Sequence, residues 1–219
     1  MQDTDDYSFI VTGFPRSGTS MMMRMLKFGG LEVLHDDETG KRIHKHNPYG
    51  SLELEFVGKA LRENDKEWTK GKVFKLVSPY ILEHLPIDRP LKVIFMLRDV
   101  AEIISSLLAS RNVWEYDPVT ANDDARGYLE YNKIPTHFVK YRDCLKYPKS
   151  VAVGIADFLD RELDIPKMVS AVDPNARQRY KTDKSLTGYK HEDKLLQFQF
   201  EGDIVLENVP GIEIERKEL

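Results

Sequence analysis

The chain has 219 residues, a length for one large domain, and its 41% hydrophobic and 31% charged residues exclude disorder as the main state. A formal charge of −4 with a pI near 5.9 does not suit a general nucleic-acid binder, and no apolar run approaches the ~18 residues of a membrane span. Cys144 is the single cysteine, which excludes an internal disulfide and a cysteine metal cluster; residues 1–6 are acidic, unlike a secretory signal, so a cytoplasmic protein is expected.

In chain order, residues 7–13 (YSFIVTG) read as a buried strand and residues 19–28 (TSMMMRMLKF) as a helix of good helix formers. Met21–Met25 are read as core packing. A short strand is expected at 31–34 and a helix over 51–64. Residues 72–77 (KVFKLV) and 91–97 (LKVIFML) read as strands. Val100, Ile103, Ile104, Leu107 and Leu108 recur at helical spacing over 100–111. A more polar helix is expected at 121–132, a strand at 137–141, and a helix over 150–163 with Val151, Ile155, Phe158 and Leu159 on one face. Continuous apolar strands alternating with helices predict an α/β fold of three layers, P-loop-like, with a central parallel sheet flanked by helices. One domain is expected over 1–219, its core spanning about 7–165. Residues 174–219 are less regular, with an edge strand at 203–206. Such sheets bind ligands beyond the carboxyl ends of their strands.

The first such end carries Gly13-Phe14-Pro15-Arg16-Ser17-Gly18-Thr19-Ser20. A glycine-bearing loop between strand and helix holds phosphate through backbone N–H groups and the helix N-terminus. The pattern nearly matches G-x-x-x-x-G-K-[ST], with Thr19 in the lysine position and Arg16 as the loop's cation. Loss of that lysine argues against a standard ATPase or GTPase. The competing reading is an ordinary glycine turn with capping hydroxyls. A second anion site is read at Arg98, which closes the strand 91–97, with Ser106 two turns into the next helix. Its competing reading is a surface ion pair of Arg98 with Asp99 or a neighbour.

These residues resemble the sulfotransferase family, in the style of its compact bacterial and viral-type members. Pro15, Arg16, Ser17, Gly18, Thr19 and Ser20 resemble the loop for the 5′-phosphosulfate of 3′-phosphoadenosine 5′-phosphosulfate (PAPS). IFMLRDVAEIISS (94–106) resembles the 3′-phosphate motif, with Arg98 and Ser106 at the family's spacing and Val100 in place of its proline. FVKYRDCLKYPKSVAVGIADFL (138–159) is similar to a further family stretch, with Tyr141 at the tyrosine that approaches adenine and Arg142 in place of a glutamate. HNPYGSLELE (46–55) is similar to an Asn-Pro-x-Gly-x-x-Glu stretch. The resemblance implies transfer of a sulfuryl group from PAPS to a hydroxyl or amine, leaving adenosine 3′,5′-bisphosphate, with no metal required. It implies Arg16 and Lys75 as the cations that balance charge on the transferring group. The acceptor class stays open among small molecules, carbohydrates, lipids and peptides, as does the oligomeric state.

A hydroxyl acceptor calls for a base. The histidine that many members carry two residues after the lysine is replaced here by Val77. Other members use a carboxylate after the first helix, and His35-Asp36-Asp37-Glu38-Thr39 resembles that stretch, so Glu38 comes first and Asp37 second. His44 and His46 lie in a basic loop and do not suggest a metal site. Glu53 and Glu55 are expected on a helix surface. Residues 177–190 carry a basic excess, and Lys184 lies in a segment that vaguely resembles one closing over the 3′-phosphate. Two rival functions remain. One is a P-loop kinase using ATP and magnesium, with Asp99 as its acid. The other is a non-catalytic nucleotide-binding relative, which Val77 favours.

Overall fold

The computed structural model of the chain describes residues 6–36, 49–110 and 115–173. Four strands form one parallel sheet: β1 (Ser8–Thr12), β2 (Val73–Lys75), β3 (Leu91–Leu97) and β4 (Thr136–Lys140), in the order β2-β1-β3-β4. Val11 lies opposite Lys75, Thr12 opposite Phe95, and Leu97 opposite Lys140. The central strand β1 is buried throughout, because helices cover both faces of the sheet. The expected three-layer α/β architecture is therefore the observed one.

Period-two alternation splits the strand side chains between two cores. Phe9, Val11, Ile94 and Met96 pack with Met22, Met23, Met25 and Leu26 of α1 (Thr19–Phe28) and with Ile155, Leu159 and Met168. Ile10, Phe74, Val93 and Phe95 pack on the other face with Leu61, Ile81, Leu85, Ala125 and Leu129. Each fully buried Val, Leu, Ile, Phe or Met side chain among these contributes roughly 1.5–3 kcal/mol.

Several elements differ from their sequence-based bounds for local reasons. The helix expected over 51–64 is confined to α2 (Val57–Glu63). Upstream of it Leu52 takes φ 49°, and the Glu53 carbonyl accepts the Asp36 amide at 3.1 Å. Glu53 thus lies in a non-helical segment before α2 and not on a helix surface. The strand expected at 31–34 is a single bridge, Val33 to Val73; three residues later Asp36 pairs with Glu53. The short helices α3 (Lys66–Thr69) and α4 (Ile81–His84) flank β2. Helix α5 (Val100–Ser110) follows β3. Helix α6 (Pro118–Tyr131) starts three residues before its expected position. Asp117 accepts the Thr120 amide at 2.7 Å, and Pro118 suits the first helical turn. The chain enters α7 (Tyr141–Lys146) directly after β4, so Tyr141 is helical rather than the last strand residue. Helix α8 (Pro148–Leu159) stops where Asp160 takes φ 57°, short of residue 163. Helix α9 (Ile165–Ser170) then docks on α1 and α8. Among the described residues no helix is long and apolar enough to cross a membrane.

The strand order places the site. From β1 the chain moves to β2 on one side, then crosses back to β3 on the other. The loops after β1 and β3 therefore diverge beside each other, and the crevice between them is where ligands bind in open parallel sheets.

Candidate active site

The loop after β1 is shaped by two glycines and one strained residue. Gly13 takes φ 127°, and a Cβ there would lie 2.5 Å from the Met96 carbonyl oxygen, so the loop sits directly on β3. Gly18 takes φ 101°, and a Cβ there would lie 2.5 Å from the Tyr141 ring. Arg16, between them, is left-handed at φ 75°, a costly conformation for a residue with a side chain. It is secured from both sides. Its Nε donates to Ser106 Oγ at 2.9 Å, and its carbonyl accepts Arg98 Nη1 at 2.8 Å.

Residues of the two sequence-predicted anion sites are thus joined in one network. Arg98 Nε also donates to Glu102 Oε2 at 3.1 Å, and the guanidinium lies 4.5 Å over the centre of the Tyr141 ring. Glu102 Oε1 accepts Arg142 Nη2 at 3.3 Å. The Tyr141 ring is buried between Gly18 and Arg98. Pro15, Ser17 and Thr19 are buried in the loop and first turn of α1.

Lys75, at the end of β2, reaches the same loop from the other side. Its ammonium donates to Ser20 Oγ at 3.1 Å, to Glu53 Oε2 at 2.9 Å and to the Ser51 carbonyl. Its side chain is only 3% exposed, so all three donors are spent inside the protein. Burial pushes this ammonium below the ordinary lysine range; Glu53 opposes the shift and the Arg16 charge adds to it.

Three hydroxyls in this region are buried without a hydrogen-bond partner: Thr12 at the end of β1, Ser17 in the loop, and Ser78, whose amide donates to the Gly13 carbonyl at 3.1 Å. Buried hydroxyls nearly always have partners, so their clustering around a phosphate-type loop fits a ligand with several acceptor oxygens. The region can neutralise anionic groups with Arg16, Lys75 and Arg98, and can supply hydroxyl donors beside them.

The structure brings together Arg16, Ser20, Lys75, Arg98, Ser106 and Tyr141 from four separate segments. Asp37, Glu38, His44, His46, Lys184 and the stretches 177–190 and 203–206 lie outside the described residues. Asp99, considered as a magnesium-binding acid, is exposed and caps α5, accepting the Glu102 amide at 3.2 Å. Two residues of the network carry no role in the sequence reading, Glu53 and Glu102. Their signals were present: Glu102 stands three residues after Asp99, the spacing of a helix-capping pair, and Glu53 ends the Asn-Pro-x-Gly-x-x-Glu stretch.

The fold and the loop place the chain among α/β proteins with a P-loop-like strand–loop–helix unit. No protein-family model matches the chain, and no curated protein matches it. Among solved structures it is similar to the sulfotransferase domain of the Synechococcus PCC 7002 olefin synthase, at 20% identity and a TM-score of 0.46, over 81% of this chain and 84% of that one. It is also similar to the sulfotransferase domain from the curacin biosynthetic pathway, at 16% identity and a TM-score of 0.48, over 81% of each chain. Retinol dehydratase in complex with androsterone and the inactive cofactor PAP is a third, at 17% identity and a TM-score of 0.39, over 78% of this chain and 64% of that one.

Proposed function

We propose that the chain is a sulfotransferase that moves a sulfuryl group from PAPS to a hydroxyl or amine acceptor. The observation that carries this reading is the Ser106–Arg16–Arg98 network. It joins a phosphate loop to a second cationic site across the crevice between β1 and β3, which suits a nucleotide with anionic groups at both its 5′ and 3′ ends. In this reading Pro15, Arg16, Ser17, Gly18, Thr19 and Ser20 hold the 5′ end. Arg98 and Ser106 hold the 3′-phosphate, and Tyr141 supports Arg98 from below. The unpartnered hydroxyls of Thr12 and Ser17 fit such a ligand. PAPS, when bound, supplies a sulfuryl group whose transfer leaves a phosphate anion; Arg16 and Lys75 are the side chains placed to neutralise charge there. Thr19 in the lysine position and Asp99 spent as a helix cap weigh against a kinase using ATP and magnesium. The acceptor belongs to a class of small-molecule, carbohydrate, lipid or peptide hydroxyls.

Calorimetry with adenosine 3′,5′-bisphosphate and, separately, ATP with magnesium tests the reading. Binding of the bisphosphate, with ATP much weaker, is the expected result. Preference for ATP with magnesium-dependent turnover would assign the loop to a kinase.

A further inference from the structure

We infer that Glu53 is the carboxylate that takes the acceptor's proton, with Lys75 as its partner at the transferring group. The inference rests on the proposed PAPS-dependent reading.

Lys75 couples Glu53 to the phosphate loop. One ammonium, with its three hydrogens on Glu53, Ser20 and the Ser51 carbonyl, separates the carboxylate from the last hydroxyl of the loop. The two partners differ in exposure. Lys75 is 3% exposed, whereas the Glu53 side chain keeps 37% of its surface open, so an acceptor can approach Glu53 directly, while the ammonium is reached only when one of its internal bonds loosens. The backbone holds the carboxylate there. The Glu53 carbonyl accepts the Asp36 amide at 3.1 Å, and Asp36 Oδ2 accepts the Glu55 amide at 2.6 Å, so the segment is tied to Asp36 at Glu53 and again two residues later. Val77, two residues after Lys75, cannot accept a proton. Among the described residues, Glu53 is the carboxylate in direct contact with a cation of the loop region on the β2 side, and Glu102 fills the corresponding place on the β3 side, between Arg98 and Arg142.

The step balances as follows. The acceptor oxygen forms a bond to sulfur while the bond from sulfur to the bridging phosphate oxygen breaks. The electron pair of the broken bond stays on that phosphate oxygen, where the Lys75 ammonium neutralises it. The acceptor proton passes to Glu53, which returns it to water after product leaves. Lys75 has no spare hydrogen in the free protein. It therefore meets the nucleotide by loosening its bond to Glu53, and the carboxylate loses that competing proton donor at the moment a base is needed.

Nucleotide binding and sulfuryl transfer should then move in opposite directions when Glu53 is neutralised. The full chain, its Glu53→Gln and Glu53→Asp variants, and Glu53→Gln in a Lys75→Met background are compared. Affinity for adenosine 3′,5′-bisphosphate is read by calorimetry, and consumption of PAPS is read with water and a panel of phenols, sugars and alcohols. Glu53→Gln should tighten binding about three- to tenfold by removing the competing carboxylate, a gain lost without Lys75. The same variant should slow PAPS consumption about 100-fold, and Glu53→Asp should recover part of the rate. Unchanged or weaker binding by Glu53→Gln, or PAPS consumption within threefold of wild type, overturns the inference. A wild-type protein that binds the bisphosphate but consumes no PAPS also overturns it, while leaving nucleotide binding intact. Failure of the wild type to bind the bisphosphate at all removes the underlying reading instead.

Discussion

Arg98 is held at three points: Nε on Glu102, Nη1 on the Arg16 carbonyl, and its flat face on Tyr141. A guanidinium fixed in this way loses little freedom when it meets a phosphate. Arg98→Ala should weaken adenosine 3′,5′-bisphosphate about 10–100-fold and adenosine 5′-phosphate by a clearly smaller factor, which reflects the lost donor on the Arg16 carbonyl. Equal losses for both ligands in calorimetry would remove Arg98 from the 3′ site. Gly18 answers to a different constraint. Gly18→Ala must adopt φ 101° and push a methyl against the buried Tyr141 ring, so it should cost about 1–3 kcal/mol in urea unfolding. A variant as stable as wild type would mean that the ring moves aside freely. Lys75 gives a pH signature. Its folded value lies below its unfolded one, so between the two values the unfolded chain holds the extra proton. Stability at this position therefore rises as pH climbs through that window. The wild-type stability minus that of Lys75→Met should increase from neutral toward alkaline pH; a flat or falling difference would contradict a buried, destabilised ammonium.

At the scale of elements, Asp99 separates two functions that one residue type can serve. As the cap of α5 it should cost about 1 kcal/mol on replacement by alanine, with nucleotide affinity retained. Loss of affinity with unchanged stability would instead make it a ligand-binding acid. The same element shows what the sequence conveys. The run 91–97 and the helical spacing of Ile103 and Leu107 were legible because burial on both faces of a sheet, and on one face of a helix, imposes periodicity. Residues 51–64 were misread because their apolar pattern suits a helix. What decides their path is the distant pairing of Glu53 with Asp36, a contact that periodicity cannot encode. For the same reason Glu53 looked like a surface helix residue. Its contact with Lys75 depends on how two segments far apart in sequence pass each other. The loop itself was fully legible, since Gly13 and Gly18 announce backbone angles that other residues avoid.

For the molecule as a whole, the sheet divides the interior into two cores that share β1 and β3. Ile94 and Phe95 are consecutive and fully buried, yet face opposite cores. Ile94→Ala and Phe95→Ala should each cost about 2–5 kcal/mol, and each variant should unfold in one transition, because neither core survives loss of the shared strands. A separate early transition in either variant would indicate two independent units. The pairing of the loop with β3 has a consequence for ligand energetics. Since Arg16 bonds Ser106 through its side chain and Arg98 through its carbonyl, the 5′ and 3′ subsites of the proposed function would be thermodynamically linked. A group seated at one end alters the free energy of seating at the other, by the same factor in both directions. A ligand carrying both anionic groups on one ribose rearranges this network once. Two separate phosphates must each rearrange it, so under the proposed function the linkage would favour a doubly charged nucleotide.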